Sequence, residues 1–229
     1  MHNWTTCHEE VPRLFLSNAL KNYVQGKGKK VAGDQTIHYM VPKDMDKQKP
    51  KEKRSNYLFW MSAFGKGFRE ALTIYVALYD KGMKRPFYVC CPPQRHKKDV
   101  KIFTDFMAYL NKNGYPIHFL GELNYEGVLK SLSNAACLFR AGMPQETFGL
   151  VYLEANKLGV PVITHESDAA EEILTDENNM FIRKDTTIDD IYNWTIDIEK
   201  KKTSVDMKKL DSDKIIKKWT KILLSLIHI

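Results

Sequence analysis

A strand, a loop broken by glycine and proline, a helix and a second strand follow one another between Ala136 and Thr164, and this unit restricts the fold more than any other stretch. Ala136 to Arg140 reads as a strand, and Gly142 and Pro144 interrupt regular structure after it. The apolar run Phe148, Leu150, Val151, Leu153 and Leu158 then reads as a helix packed on its neighbours and stopped by Gly159. Val160 to Thr164 follows as a buried strand. A helix therefore opens at the carboxyl end of a strand, which is where open α/β sheets bind ligands.

The same alternation runs from Asn56 onward. Strands are expected at Tyr57–Ser62, Pro86–Cys91, Ile117–Leu120 and Met180–Ile182. Helices are expected at Gly67–Lys81, Val100–Asn113, Tyr125–Ser133, Asp168–Leu174, Ile188–Lys200 and Asp211 to about Ile227. Alternating strands and helices imply a Rossmann-like α/β fold, a parallel sheet with helices on both faces. Upstream, Arg13–Ser17 and Thr36–Val41 read as short strands, with a helix at Asn18–Gln25 capped by Ser17 or Asn18. Gly26-Lys27-Gly28-Lys29-Lys30 lacks the Gly-Lys-Ser/Thr ending of a phosphate loop and reads as a solvated break. Pro42 to Ser55 reads as linker or long loop.

Several residues at the helix mouths suit an anionic, elongated ligand. Backbone amides at Thr147, Phe148 and Gly149 favour an anion, and a glycine lets a phosphate approach the main chain without a Cβ in the way. If one helix carried both Glu146 and Glu154, they would lie roughly 12 Å apart along its axis and about 80° apart around it. That spacing is poor for the acid and base of a glycosidase, whose carboxyls sit about 5 to 9.5 Å apart. It suits two hydroxyl-bearing groups flanking a phosphate; two solvated acids on an amphipathic helix are the alternative. Lys66-Gly67, just before the second regular helix, reads either as a surface lysine or as a diphosphate contact combining charge with amides.

Glu146-Thr147-Phe148-Gly149, then Glu154-Ala155 after four residues, then Gly159-Val160-Pro161-Val162-Ile163 resembles the signature of retaining glycosyltransferases of the GT-B fold, family 4. The resemblance covers residues 55–185 strongly and 11–50 weakly. It implies the C-terminal, donor-binding half of such an enzyme at 51–229, with its terminal helix, and a remnant of the acceptor-side half at 1–50. Glu146 would hold donor-sugar hydroxyls, Thr147, Phe148, Gly149 and Leu150 the distal phosphate region, and Glu154 the ribose. Glu146 and Lys66 would be catalytic, and Gly67 would join Lys66 at the diphosphate. Gly121 and Leu123, in Phe119-Leu120-Gly121-Glu122-Leu123, would frame the nucleobase. The family's loop arginine, about five residues before the Lys-Gly pair, falls here at Met61 or Ser62 and is absent; Arg69 is the other cation nearby.

The implied reaction is sugar transfer with retention from a UDP-, GDP- or ADP-sugar, with no cofactor and no metal. A nucleotide-sugar binding module without catalysis is the alternative. Three origins account for the short acceptor side: a fragment of a longer protein, a partner chain supplying the acceptor domain, or a reduced protein. The net charge of +7 and pI near 9.0 suit a phosphorylated ligand, nucleic acid or an anionic membrane. No stripe of interleaved aromatic and basic residues supports nucleic acid. The terminal helix sets Lys214, Lys217, Lys218 and Lys221 opposite an apolar side, and it either lies on a membrane surface or docks on a neighbouring domain. Cys7, Cys90, Cys91 and Cys137 form no metal or disulfide pattern, so a cytoplasmic setting, possible peripheral membrane contact aside, is the expectation.

Overall fold

The computed structural model describes residues 14–27, 34–37, 45, 49–91, 97–142, 149–204 and 212–227. The chain begins with β1 (Leu14–Phe15), α1 (Asn18–Lys27) and β2 (Gln35–Thr36), and continues with β3 (Leu58–Met61), α2 (Phe68–Asp80) and β4 (Phe87–Cys90). Next come α3 (Lys97–Lys112), β5 (Ile117–Gly121), α4 (Tyr125–Asn134), β6 (Cys137–Arg140), α5 (Leu150–Lys157) and β7 (Val162–His165). The described part closes with α6 (Asp168–Ile173), β8 (Met180–Ile182), α7 (Ile188–Ile196), a 3-10 turn (Ile198–Lys200) and α8 (Ser212–Ile227). Six strands form one parallel sheet in the order β5-β4-β3-β6-β7-β8.

Alternation along the strands decides the layering, because successive side chains point to opposite faces. Leu58 and Trp60 of β3, Phe87 and Val89 of β4, and Cys137 and Phe139 of β6 pack with α2, α3 and α7. Phe59, Met61, Cys90 and Leu138 pack on the other face with α4, α5 and α6. Both faces are covered, so β3 and β6 are continuously apolar, as parallel strands are, until Arg140 ends β6. Cys90, Cys91 and Cys137 are buried free thiols, and burial pushes Cys90 and Cys137 up to about 12, so they serve as core residues.

The N-terminal segment makes a small parallel pair, β1 with β2, linked by α1. Ser17 caps α1 by accepting from the Leu20 amide at 3.0 Å. Asn18 donates from both its backbone and its amide to Glu172 of α6, at 2.9 to 3.2 Å. The terminal helix rests on this pair: Ile215 is buried, and Lys218 Nζ donates to the Thr36 carbonyl at 2.5 Å. The expected break at Gly26–Lys30 starts later than the sequence suggests, since α1 continues through Lys27; residues 28–30 lie outside the described part. Residues 38–41 of the expected second strand also lie outside it.

One expected helix, Ile188–Lys200, is two pieces broken at Asp197. Two buried arginines explain the break. Arg85 Nη2 donates to the Thr195 and Ile196 carbonyls at 3.2 and 3.3 Å and pairs with Glu199 at 2.7 Å. Arg54 donates to the carbonyls of Gly159 at 2.6 Å, Ile198 at 2.9 Å and Lys201 at 2.5 Å. Guanidinium groups thus take up carbonyls that a continuing helix would have used. Arg54 belongs to a stretch whose composition reads as linker, yet it is 8% exposed and ties that stretch to β7's approach and to the C-terminal segment. Charge-assisted hydrogen bonds of this kind are worth about 1.5–3 kcal/mol each and are not additive, so Arg54→Met is expected to lower unfolding free energy by about 3 kcal/mol. Urea denaturation measures this; an unchanged midpoint would contradict the clamp.

Candidate functional site at the strand switch point

From β3 the chain steps outward through β4 to β5, then returns to the opposite side of β3 as β6. The order of strands therefore reverses between β3 and β6, and open α/β sheets bind ligands beyond the carboxyl ends of the strands at such a reversal. The loop after β3 leads to α2 and the loop after β6 leads to α5, so two helix N-termini flank one crevice. Both helices start on a left-handed glycine: Gly67 with φ 81° and Gly149 with φ 83°. The two loops touch at their backbones. A Cβ on Gly142 would stand 2.2 Å from the Gly67 carbonyl oxygen, so only glycine fits at that contact.

Gly149 is required by its own surroundings. Its φ already excludes most side chains, and a Cβ there would lie 2.4 Å from the Tyr152 ring. The helix's own packing therefore accounts for this glycine. Tyr152 in turn shares a 2.9 Å hydrogen bond with the Thr164 hydroxyl at the end of β7. Because α5 begins at Leu150, the uniform rise and rotation of a helix apply only from that residue onward. Glu146, Thr147 and Phe148 lie outside the described residues.

Lys66 is exposed on the β3 loop, next to buried Gly67, and Arg69 is exposed in the first turn of α2. Arg140, the last residue of β6, is 3% exposed and donates from Nη1 to the Lys66 carbonyl at 3.2 Å. Its guanidinium also lies over the Trp60 ring, 4.7 Å from the centroid. The sequence marks it only as a cation closing an otherwise apolar strand, Cys-Leu-Phe-Arg.

Glu154 is 7% exposed, so it is not the solvated acid of the alternative reading. The hydroxyl of Tyr125 donates to its carboxylate at 3.0 Å. Tyr125 is the first residue of α4, directly after the Gly121–Asn124 turn, and is 39% exposed. That contact brings Glu154 beside the turn holding Gly121, left-handed at φ 71°, and half-buried Leu123. Asn124 fixes the turn by accepting from the Gly127 amide at 2.8 Å. Leu150, half-buried in the first turn of α5, packs against the same core face as Leu123. Among the described residues, no three His, Cys, Asp or Glu side chains gather as a metal site. No described helix is long and apolar enough to cross a membrane.

Burial pushes the Glu154 carboxyl up, and the Tyr125 hydrogen bond offsets part of that rise. A carboxyl raised in the folded state disfavours folding while ionised, so stability is gained as pH falls through its folded value toward the ordinary carboxylate range. Glu154→Gln is expected to unfold at equal or higher urea than wild type at pH 8 and to lack this gain on acidification. Tyr125→Phe is expected to lose about 1–2 kcal/mol at pH 8, a deficit that shrinks toward pH 5. A Glu154→Gln protein markedly less stable than wild type would contradict this account.

The sequence profile of the family described as glycosyl transferases group 1 matches residues 95–212, just over half of the chain. No curated protein matches the sequence. Among solved structures, Anabaena HepE in complex with UDP-glucose is similar with a TM-score of 0.69 at 14% identity, over 96% of this chain and 65% of that one. Sucrose-phosphate synthase from Thermosynechococcus elongatus gives 0.66 at 13%, over 94% and 58%. The pneumococcal O-GlcNAc transferase GtfA in complex with UDP and GlcNAc gives 0.62 at 12%, over 94% and 45%. At these identities the likeness is one of fold, and the chain spans less than two thirds of each of these structures.

Proposed function

The chain belongs to the glycosyl transferases of group 1, and we propose that it is the donor-binding half of a retaining enzyme that transfers a sugar from a nucleoside diphosphate sugar. One observation carries this reading: the Lys66–Gly67 loop, the two ends of the Gly142–Gly149 loop and the Glu154–Tyr125 contact beside Gly121–Leu123 all lie at the carboxyl edge of one sheet. A diphosphate fits across the mouths of α2 and α5, where helix amides and Lys66 converge on negative charge. A nucleoside fits toward Gly121, Leu123 and Glu154, with the carboxylate accepting from ribose hydroxyls. The sugar then extends toward Glu146, with Thr147, Phe148, Gly149 and Leu150 along the distal phosphate. The structures of HepE with UDP-glucose and GtfA with UDP make uridine nucleotides the first donors to test.

In the reaction the bond from the anomeric carbon to the distal phosphate oxygen breaks as the acceptor oxygen bonds to that carbon on the same face. The acceptor's proton passes to the departing phosphate. The charge growing on that phosphate is met by Lys66 and by main-chain amides, which favour the transition state over the ground state. Neutralisation by this basic loop replaces what a metal ion does elsewhere. The acceptor side is supplied by a partner chain or by sequence beyond this one. A second reading, a nucleotide-sugar binding module without catalysis, is favoured by one feature: loop 62–67, Ser-Ala-Phe-Gly-Lys-Gly, carries no arginine. Membrane contact through α8 has less room, since Ile215 and Lys218 of that helix are engaged by the N-terminal strand pair.

Calorimetric titration with UDP, GDP and ADP and with their sugars tests the shared part of both readings, and donor hydrolysis or transfer separates them. Glu154→Ala is expected to weaken nucleotide binding by about 1–3 kcal/mol through lost charged hydrogen bonds. Glu146→Ala should chiefly affect discrimination between a nucleotide and its sugar conjugate. Equal nucleotide affinity of wild type and Glu154→Ala would contradict the assignment of Glu154.

A further inference from the structure

The β3 loop is held from beneath at two carbonyls, by residues on two different strands. Trp60 donates its indole N–H to the Ser62 carbonyl at 2.8 Å, at the start of the loop. Arg140 rests on the face of that same indole and donates to the Lys66 carbonyl at 3.2 Å, at the loop's end. Three residues separate the two tethers within the loop, and Gly67 follows at once with its left-handed backbone. The Gly142 backbone presses on the Gly67 carbonyl from the same side, so β6 and its loop supply the floor on which the turn sits.

Arginine is an unusual choice for that floor. A side chain 97% buried carries a desolvation cost when charged, and here a backbone carbonyl and a ring face offset part of it. The guanidinium presents its donors in a planar fork. At this place it meets the backbone of Lys66, whose own side chain is exposed. The loop above it contributes a single cation, Lys66, and no arginine of its own.

We propose that Arg140 is the positioning residue for the diphosphate: through the Lys66 carbonyl and the Trp60 stack it sets the Lys66–Gly67 turn in its anion-receiving form. The proposal rests on the nucleotide-sugar reading above and deepens it. It accounts for how a loop without arginine would still retain a diphosphate, and so bears on whether the chain is a competent donor half.

The test titrates the full chain with whichever of UDP, GDP and ADP binds tightest, and with the corresponding monophosphate, for wild type, Arg140→Met and Arg140→Lys. Arg140→Met is expected to lose about tenfold in diphosphate affinity, the size of one charged hydrogen bond, with monophosphate affinity within about twofold of wild type. Arg140→Lys, which keeps charge and one donor but not the planar fork, is expected to recover part of the loss, and it serves alone if the methionine variant does not fold. A merely structural role would weaken both nucleotides alike; that result, or unchanged diphosphate affinity in both variants, overturns the assignment of Arg140. Wild-type protein that binds none of the nucleotides overturns the nucleotide-sugar reading and this assignment with it.

Discussion

Two backbones meet without a side chain between them at Gly142 and Gly67, and the geometry of the crevice depends on that contact. The glycine after β6 lets the returning loop lie directly against the carbonyl that ends the β3 loop. Any Cβ at position 142 would stand 2.2 Å from that carbonyl oxygen, so the two backbones could not keep this contact. The strand order makes the crevice available, since a sheet that reverses its direction of winding leaves a gap beyond the reversal.

Around this contact several polar groups lie in the interior and are held by identified partners. Arg140 lies below the β3 loop, Glu154 is met by Tyr125, and Asn156 and Asn179 bond each other through both amides at 2.8 Å beneath β7. The asparagine pair is structural: Asn179 also accepts from the Val162 amide at 3.0 Å. Glu154 is of another kind. Burial raises its carboxyl, and one phenol does not satisfy all its acceptor positions. A carboxylate kept in that state at the rim of a crevice weakens the fold slightly, which fits a group retained for a ligand.

Much of this was legible in the order of residues. The apolar runs of β3 and β6, Gly159 at the end of α5 and the alternation of strands with helices place the sheet and its two helical layers before any coordinates are consulted. The boundaries differ by a residue or two, as at β7, which runs Val162–His165 where Val160–Thr164 was expected. The helix after Ile188 was misjudged because its stop lies in Arg54 and Arg85, far away in sequence and invisible to local periodicity. The site was legible in its motifs and much less so in its partners. Gly149 and Glu154 stand out by type and spacing, Lys66 and Gly67 by their place before a helix, and Gly121 and Leu123 through the family resemblance alone. Tyr125 and Arg140 do not, because a phenol at a helix start and a cation at a strand end become meaningful only once α4 meets α5 and β6 meets the β3 loop. The glycines mislead in a different way. Gly149 looks like an opening for a ligand and is first a consequence of its own φ and of the Tyr152 ring.

The central claim is that one ligand spans the mouth between α2 and α5 and reaches the turn before α4. Hydrogen–deuterium exchange of the full chain, with and without UDP-glucose, tests it most directly. The account predicts slower exchange on binding in three separate segments, 62–70, 121–127 and 149–155, with α1, β2 and α8 unchanged. Protection confined to α1, β2 and α8, or no protection at saturating ligand, would contradict it.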